Sequence, residues 1–149
     1  MRIVVQRVKG AKLSVNGDKV AEIKKGLVIY VCFENGDFSH KDDLYSWAKT
    51  KLLNLRVFED DCGKTNLSVS DVDGEFLFVS QFTLAGDVTH GYRPSFTTAA
   101  EKKQAETMFD EFCSLFDGER KYGRGVFGAD MTIEQINDGP FTLIVDKRY

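Results

Sequence analysis

Asn137-Asp138-Gly139-Pro140-Phe141-Thr142 lies between two apolar runs, Met131–Ile136 and Phe141–Asp146, that read as β-strands. Pro140 is one of only two prolines in 149 residues, so its position is informative. Proline has no N–H and fixes φ, which keeps it out of central strands. Asn, Asp, Gly and Pro are also ordinary turn residues, so the stretch reads as a turn joining two strands. An X-Pro bond is where a cis peptide costs least, about 0.5–1 kcal/mol against trans. A cis bond here would turn the chain sharply and leave carbonyls pointing outward, free to accept hydrogen bonds.

Upstream of these strands the pattern is equally rich in β-structure. Met1–Val8 and Leu13–Val15 read as strands, and Asn16-Gly17 marks a hairpin pairing Lys12–Val15 with Lys19–Ile23. Gly26–Phe33 is almost continuously apolar, as in a strand buried on both faces. Ser39 opens a helix with Leu44, Trp47, Ala48, Lys51, Leu52 and Leu55 near helical spacing. Leu55–Phe58 and Glu75–Ser80 read as further strands. Ala99–Phe116 reads as a second helix, its apolar stripe formed by Ala105, Met108, Phe109, Phe112, Leu115 and Phe116. The expected fold is α/β (α+β): one domain over residues 1–149, with a strand-rich, curled, mixed or antiparallel sheet or barrel and two principal helices. The order is not the regular alternation of a doubly wound fold.

Composition narrows the function. Twenty Lys and Arg against 23 Asp and Glu give a net charge of −3, which is no footprint for gripping long stretches of phosphate backbone. It leaves room for a protein that handles one RNA end through a local pocket. Cys32, Cys62 and Cys113 are scattered and form no CxxC, so they read as reduced thiols, Cys32 and Cys113 in the core and Cys62 in a turn. MRIVVQRV lacks a signal-peptide core and no apolar run reaches membrane-spanning length, so a cytoplasmic protein with no membrane partner is expected.

Familiar catalytic signatures are absent. His40 and His90 alone give no zinc site, and there is no GxxxxGK[ST] or GxSxG. Gly123-x-Gly125-x-x-Gly128 matches GxGxxG but follows a helix and a charged loop, so it is a chance match. No metal or cofactor is expected. Ser80, His90 and Asp87 make a triad only on paper.

Ser80-Gln81-Phe82-Thr83-Leu84 stands where a buried strand gives way to a polar loop. Backbone N–H groups at such a bend can form an oxyanion hole, and Thr83 offers a hydroxyl with no evident base. Ser80 and Thr83 could equally serve only as turn hydrogen-bonding residues. Arg93, in Tyr92-Arg93-Pro94-Ser95-Phe96, suits a phosphate or carboxylate, while Pro94-Ser95 leads toward the second helix. Lys102, Lys103, Arg120, Lys121 and Arg124 form either a local basic surface or a solvated face.

Taken together, Gln6-Arg7-Val8, Ser80–Leu84, Gly91–Phe96, Gly125–Met131 and Asn137–Thr142 resemble D-aminoacyl-tRNA deacylase from residue 6 to residue 142. The resemblance implies a homodimer that hydrolyses the ester between a D-amino acid and the 3′ end of tRNA, and that also removes glycine from mischarged tRNA. It implies a cis Gly139–Pro140 that reaches into the partner's pocket for chiral selection. Ser80, Gln81, Phe82 and Thr83 would line the catalytic side. Phe127 and Met131 would hold the terminal adenosine, and Arg7 would brace the Gly-Pro segment. Phe141 departs from the family's usual Val, and Tyr92 falls at a variable position. A sibling group with a trans Gly-Pro carries PQATL at the strand end; Ser80 and Phe82 set this chain with the D-specific group. Against catalysis stands a non-catalytic dimeric module that binds RNA ends or another protein. The joint presence of SQFTL and NDGP argues for the enzyme.

Overall fold

The computed structural model describes residues 1–149. Its frame is one long hairpin. Strand β1, Arg2–Val15, is followed at Asn16-Gly17 by β2, Asp18–Ile23, and β3, Gly26–Cys32. Both run antiparallel to β1, with Val15 opposite Asp18 and Arg2 opposite Cys32. The expected break between Val8 and Leu13 is thus absent: β1 is continuous. Its partners divide instead, at Lys24-Lys25.

Helix α1, Lys41–Asn54, follows a 3₁₀ turn over Asp37–His40, so Ser39 lies in that turn and the α-helix starts two residues beyond it. Its buried residues are Leu44, Tyr45, Ala48 and Leu52. Tyr45 is buried because its hydroxyl donates to Met108 O and to the Glu111 carboxylate, whereas Trp47 is only half-buried and Lys51 is exposed. The expected strand at Leu55–Phe58 is reduced to β4, Phe58–Glu59, which pairs with β5, Thr65–Leu67.

Strand β6, Glu75–Ser80, runs parallel to β3, and β7, Tyr122–Arg124, runs parallel to β6. The sheet is therefore mixed. Gly26 sits where β3 meets β6 so closely that a Cβ would lie 1.9 Å from Glu75 O. Gly123 falls inside β7 and its strand is followed by a loop, so no dinucleotide-type helix opens at Gly123–Gly128. A Cβ on Gly123 would come within 2.9 Å of Ala21 Cβ: β7 approaches β2 and the sheet curls nearly shut. The small core inside the curl is Val8, Ala11, Leu13, Ile23, Val28, Leu77 and Val79.

Helix α2, Lys102–Ser114, begins three residues later than expected because Glu101 caps it, accepting from Gln104 N at 3.1 Å. Its inner face buries Ala105, Met108, Phe109, Phe112 and Cys113. Phe76 and Phe78 of β6 stack at 5.3 Å between ring centroids, and Phe116 packs against both, at 5.3 and 4.8 Å. Each such buried ring contributes about 1.5–3 kcal/mol through removal from water. This larger core fastens both helices to one face of the sheet and holds the end of β6 in place.

The C-terminal pattern differs most from expectation. Met131–Asp146 is one strand, β8, that runs antiparallel along the whole of β1. Asn137–Pro140 does not turn the chain back. From Asn137 to Thr142 β8 takes five residue steps while β1 takes two, from Val8 to Gln6. Three surplus residues loop out of an otherwise continuous ladder, which is how a proline is accommodated inside a strand. Beside the loop, the Gln135 amide donates to Gln6 Oε1 at 2.8 Å and Asn137 Oδ1 at 2.6 Å, and the Tyr30 hydroxyl donates to Gln135 Oε1 at 2.9 Å.

Candidate active site

The end of β6, the start of α2 and the loop leading into β8 enclose a cavity of about 580 Å³. Val79 and Ser80 enter from β6, Gln81 and Phe82 from the turn that follows it; Phe127 to Asp130 enter from the loop; Met131 and Ile133 enter from β8. Volume and predominantly apolar lining are those of a small-molecule site. Of the residues singled out in the sequence, Ser80, Gln81, Phe82, Phe127 and Met131 meet here. Thr83, Arg7, Gly139 and Pro140 do not line it. Ala99, Ala100 and Ile133 line it without having been singled out, since nothing local in the sequence marks a wall built from small and aliphatic residues; Lys102, read only as part of a basic surface, lines it too.

After Ser80 the chain leaves the sheet in a 3₁₀ turn, Phe82–Ala85. The first N–H groups of such a turn have no acceptor within it, and here they belong to Phe82 and Thr83. The turn is held from behind. Arg2 Nη1 donates to Leu84 O at 2.6 Å, Thr98 Oγ1 to Ala85 O at 3.2 Å, and the Cys32 thiol to Phe82 O at 3.5 Å. Burial pushes the Cys32 thiol up to about 11, so it is a neutral donor at pH 7 and no nucleophile. The Phe82 side chain is 59 % exposed at the cavity edge and packs edge-on against Phe96 at 5.1 Å.

Thr83 Oγ1 accepts from the Gln81 amide, and it contacts no histidine or carboxylate. Asp87 is spent on Thr89, receiving its N–H at 2.8 Å and its hydroxyl at 2.7 Å; these bonds hold its carboxyl below the usual range. The paper triad of Ser80, His90 and Asp87 is therefore not assembled.

The looped-out segment is pinned from below. Arg7 is 6 % exposed. Its Nε donates to Asp138 O at 3.1 Å and lies 3.3 Å from the Asp138 carboxylate; its Nη1 donates to Val57 O at 2.6 Å. Its guanidinium also lies over the Phe141 ring, 5.0 Å from the centroid. Gly139 has φ +124°, a region L side chains avoid, and the Gly139–Pro140 peptide is cis. Both residues are exposed. On either side of them Ile136 and Ile144 are 65 % and 70 % exposed, along a strand whose far edge pairs with nothing in this chain.

The sequence model of the D-Tyr-tRNA(Tyr) deacylase family matches residues 4–146. The chain belongs to that family. Relatives named D-aminoacyl-tRNA deacylase include one from Caldicellulosiruptor saccharolyticus, 44 % identical over 99 % of this chain and 98 % of its own. Another, from Magnetococcus marinus, is 43 % identical over 98 % and 96 %. These names are those of an ester-bond hydrolase, and the deacylase family match spans both the cavity and the looped-out segment.

Among solved structures, one described as a c-Myc DNA unwinding element binding protein superposes with TM-score 0.89 at 34 % identity over the full length of both chains. A probable eukaryotic D-amino acid tRNA deacylase superposes with TM-score 0.84 over 98 % of each chain. At 20 % identity the latter shows the shared deacylase fold alone. No helix is long and apolar enough to cross a membrane.

Proposed function

We propose that this chain hydrolyses D-aminoacyl-tRNA, releasing the free D-amino acid and tRNA, and that it clears mischarged glycyl-tRNA by the same reaction. The observation that carries this reading is the pairing of a nucleoside-sized apolar cavity at the end of β6 with a rigid, outward-facing loop at Gly139-Pro140. In a single chain the loop does not line the cavity. In a two-fold dimer, the loop of one subunit completes the cavity of the other. The unpaired edge of β8 and the exposed Ile136 and Ile144 beside the loop support such an association, since a long open edge needs cover.

In this composite site Phe127 and Met131 hold the terminal adenosine. The carbonyls around Gly139-Pro140 accept from the substrate ammonium. With the ammonium fixed, an L side chain is driven into backbone while a D side chain points to open space; glycine has none and passes. A 10⁴-fold preference needs about 5.5 kcal/mol, which a steric clash supplies and one hydrogen bond of about 1 kcal/mol does not. Selection therefore depends on rigidity, and Arg7 supplies it as a positioning residue.

In the chemical step water attacks the ester carbonyl carbon. The oxyanion is held by the N–H groups of Phe82 and Thr83. The bond to the ribose oxygen breaks, the leaving oxygen takes one of the water's protons, and the amino acid departs as its carboxylate with the other proton released to solvent. No protein base is within reach of Thr83, which favours assistance by the tRNA 2′-hydroxyl over a threonine nucleophile. The setting is cytoplasmic, where aminoacyl-tRNA is found.

Mixing two variants tests the composite site. Gly139→Ala displaces the loop and leaves cleavage without stereoselectivity, while the double variant Phe82→Pro, Thr83→Pro lacks the N–H groups that hold the oxyanion and is inactive. With the inactive variant in excess, mixed dimers spare L-Tyr-tRNA while still cleaving D-Tyr-tRNA if the loop acts across subunits; L-Tyr-tRNA cleavage undiminished by mixing, in mixtures shown to exchange subunits, contradicts it.

A further inference from the structure

Lys102 is the only cation among the residues that line the cavity, and nothing above gives it a task. It sits beside Gly128: a Cβ built there would lie 3.7 Å from Lys102 Cε and 3.9 Å from its Nζ. No carboxylate lies within ion-pair distance of it. Of the other cations of the expected basic surface, Arg120 is neutralised by Asp73, Lys121 by Glu75 and Arg124 by Asp110, while the unpaired Lys103 does not line the cavity. The adjacent Glu101 is turned back onto its own helix, at Gln104 N. Asp130 also lines the cavity and does not pair with Lys102.

Helix stability does not account for this lysine. The first turn of α2 carries Lys102-Lys103 and no acidic residue, against the preference of the helix dipole for anions at that end. Local rules are broken in this way at functional sites.

The geometry points to Lys102 as the residue that holds the phosphate linking the terminal nucleoside to the RNA strand. This rests on the function proposed above and adds to it a contact beyond the nucleoside. Base and ribose suit the apolar lining, but the strand leaves the nucleoside through a 5′-phosphate whose charge needs a partner at the rim. An ammonium is a compact point charge fit for that task. It would repel the substrate's own ammonium, which sets the aminoacyl end away from α2 and toward Ser80–Phe82.

Two D-tyrosyl esters test it, one of adenosine and one of adenosine 5′-monophosphate. The expected preference of the unaltered enzyme for the phosphorylated ester is about two- to fivefold in kcat/KM, shrinking as salt is raised. The preference falls to near one in Lys102→Ala, reverses in Lys102→Glu and persists in Lys102→Arg. With tRNA as substrate, Lys102→Ala lowers the salt slope of binding by about one. An unchanged preference in Lys102→Ala, or none in the unaltered enzyme, overturns the assignment while leaving the deacylase reading intact. Failure of the unaltered enzyme to cleave either ester or D-Tyr-tRNA overturns both.

Discussion

Arg7 Nε donates to the carbonyl of Asp138 at 3.1 Å while the Nη1 of the same guanidinium donates to Val57 O at 2.6 Å. One buried side chain thus ties the looped-out segment of β8 to the segment that follows α1. Only a planar fork of fixed geometry can serve both carbonyls at once. Arg7→Ala leaves both carbonyls without this donor and removes the guanidinium from Phe141, at a cost of about 2–4 kcal/mol in chemical denaturation. Arg7→Lys keeps the charge but reaches one carbonyl, so its loss is intermediate. In both variants discrimination between D- and L-aminoacyl-tRNA falls further than turnover of the D substrate.

Gly139 is the point at which the segment tolerates no side chain. A Cβ there would sit 3.1 Å from Phe141 N and 3.2 Å from Arg7 Nη2, on a residue with φ +124°. Gly139→Ala is expected to cost about 1–3 kcal/mol. By displacing the loop it lets L-Tyr-tRNA be cleaved at a rate approaching that of D-Tyr-tRNA. Parallel denaturation and stereoselectivity measurements check this: retained selectivity would remove Gly139 from the selecting surface.

Thr83 carries a hydroxyl at the strand end with only the Gln81 amide in contact. With no base to take its proton it is a poor nucleophile. Thr83→Ala therefore retains turnover within about tenfold, far less than the loss that follows removal of a true nucleophile. A D-aminoacyl-tRNA ending in 2′-deoxyadenosine with a 3′-linked ester is cleaved far more slowly than its ribose counterpart. Cleavage at full rate would remove the 2′-hydroxyl from the mechanism.

Acid stability is set partly by Glu111, which joins the two helices. Its carboxylate receives Lys41 Nζ at 2.8 and 2.9 Å and the Tyr45 hydroxyl at 2.9 Å. The Lys41 bond above all holds its pKa below the ordinary value of 4.5. A carboxyl with a lowered folded-state pKa stabilises above its unfolded value and loses that stabilisation as pH falls through the folded one. The group is partly exposed, so the contribution is about 0.3–1 kcal/mol. Glu111→Gln is expected to melt below the unaltered protein at pH 7, and the gap should close as pH drops below 4.5. A gap that widens in acid contradicts the sign.

Much of this was legible in the residues because local chemistry and tertiary packing agree. Asn16-Gly17 gave its hairpin, the Phe109-Phe112-Phe116 stripe its buried helix face, and Gly26–Phe33 a strand buried between neighbours. Asn137–Pro140 reads as a reversal by its residue types, yet turn residues also serve to expel a loop from a continuous strand. Which of the two occurs depends on β1, a partner more than 120 positions away, and no local signal carries that register. Tyr45 is buried while Trp47 packs against the edge of the core, because the Tyr45 hydroxyl meets Met108 O and Glu111 on α2, partners that helical spacing cannot reveal. Within the site the polar strand end stood out, but its wall did not: Ala99, Ala100 and Ile133 become significant only once α2 and β8 are brought together.

The central claim, that the protein removes D-amino acids and glycine from tRNA and spares L-amino acids, is tested most directly by side-by-side initial rates on D-Tyr-tRNA, glycyl-tRNA and L-Tyr-tRNA at one enzyme concentration. The expected result is rapid loss of the D-tyrosyl and glycyl esters, with L-Tyr-tRNA surviving at the rate of its spontaneous hydrolysis. Equal cleavage of the two tyrosyl enantiomers, or cleavage of none of the three, would contradict it.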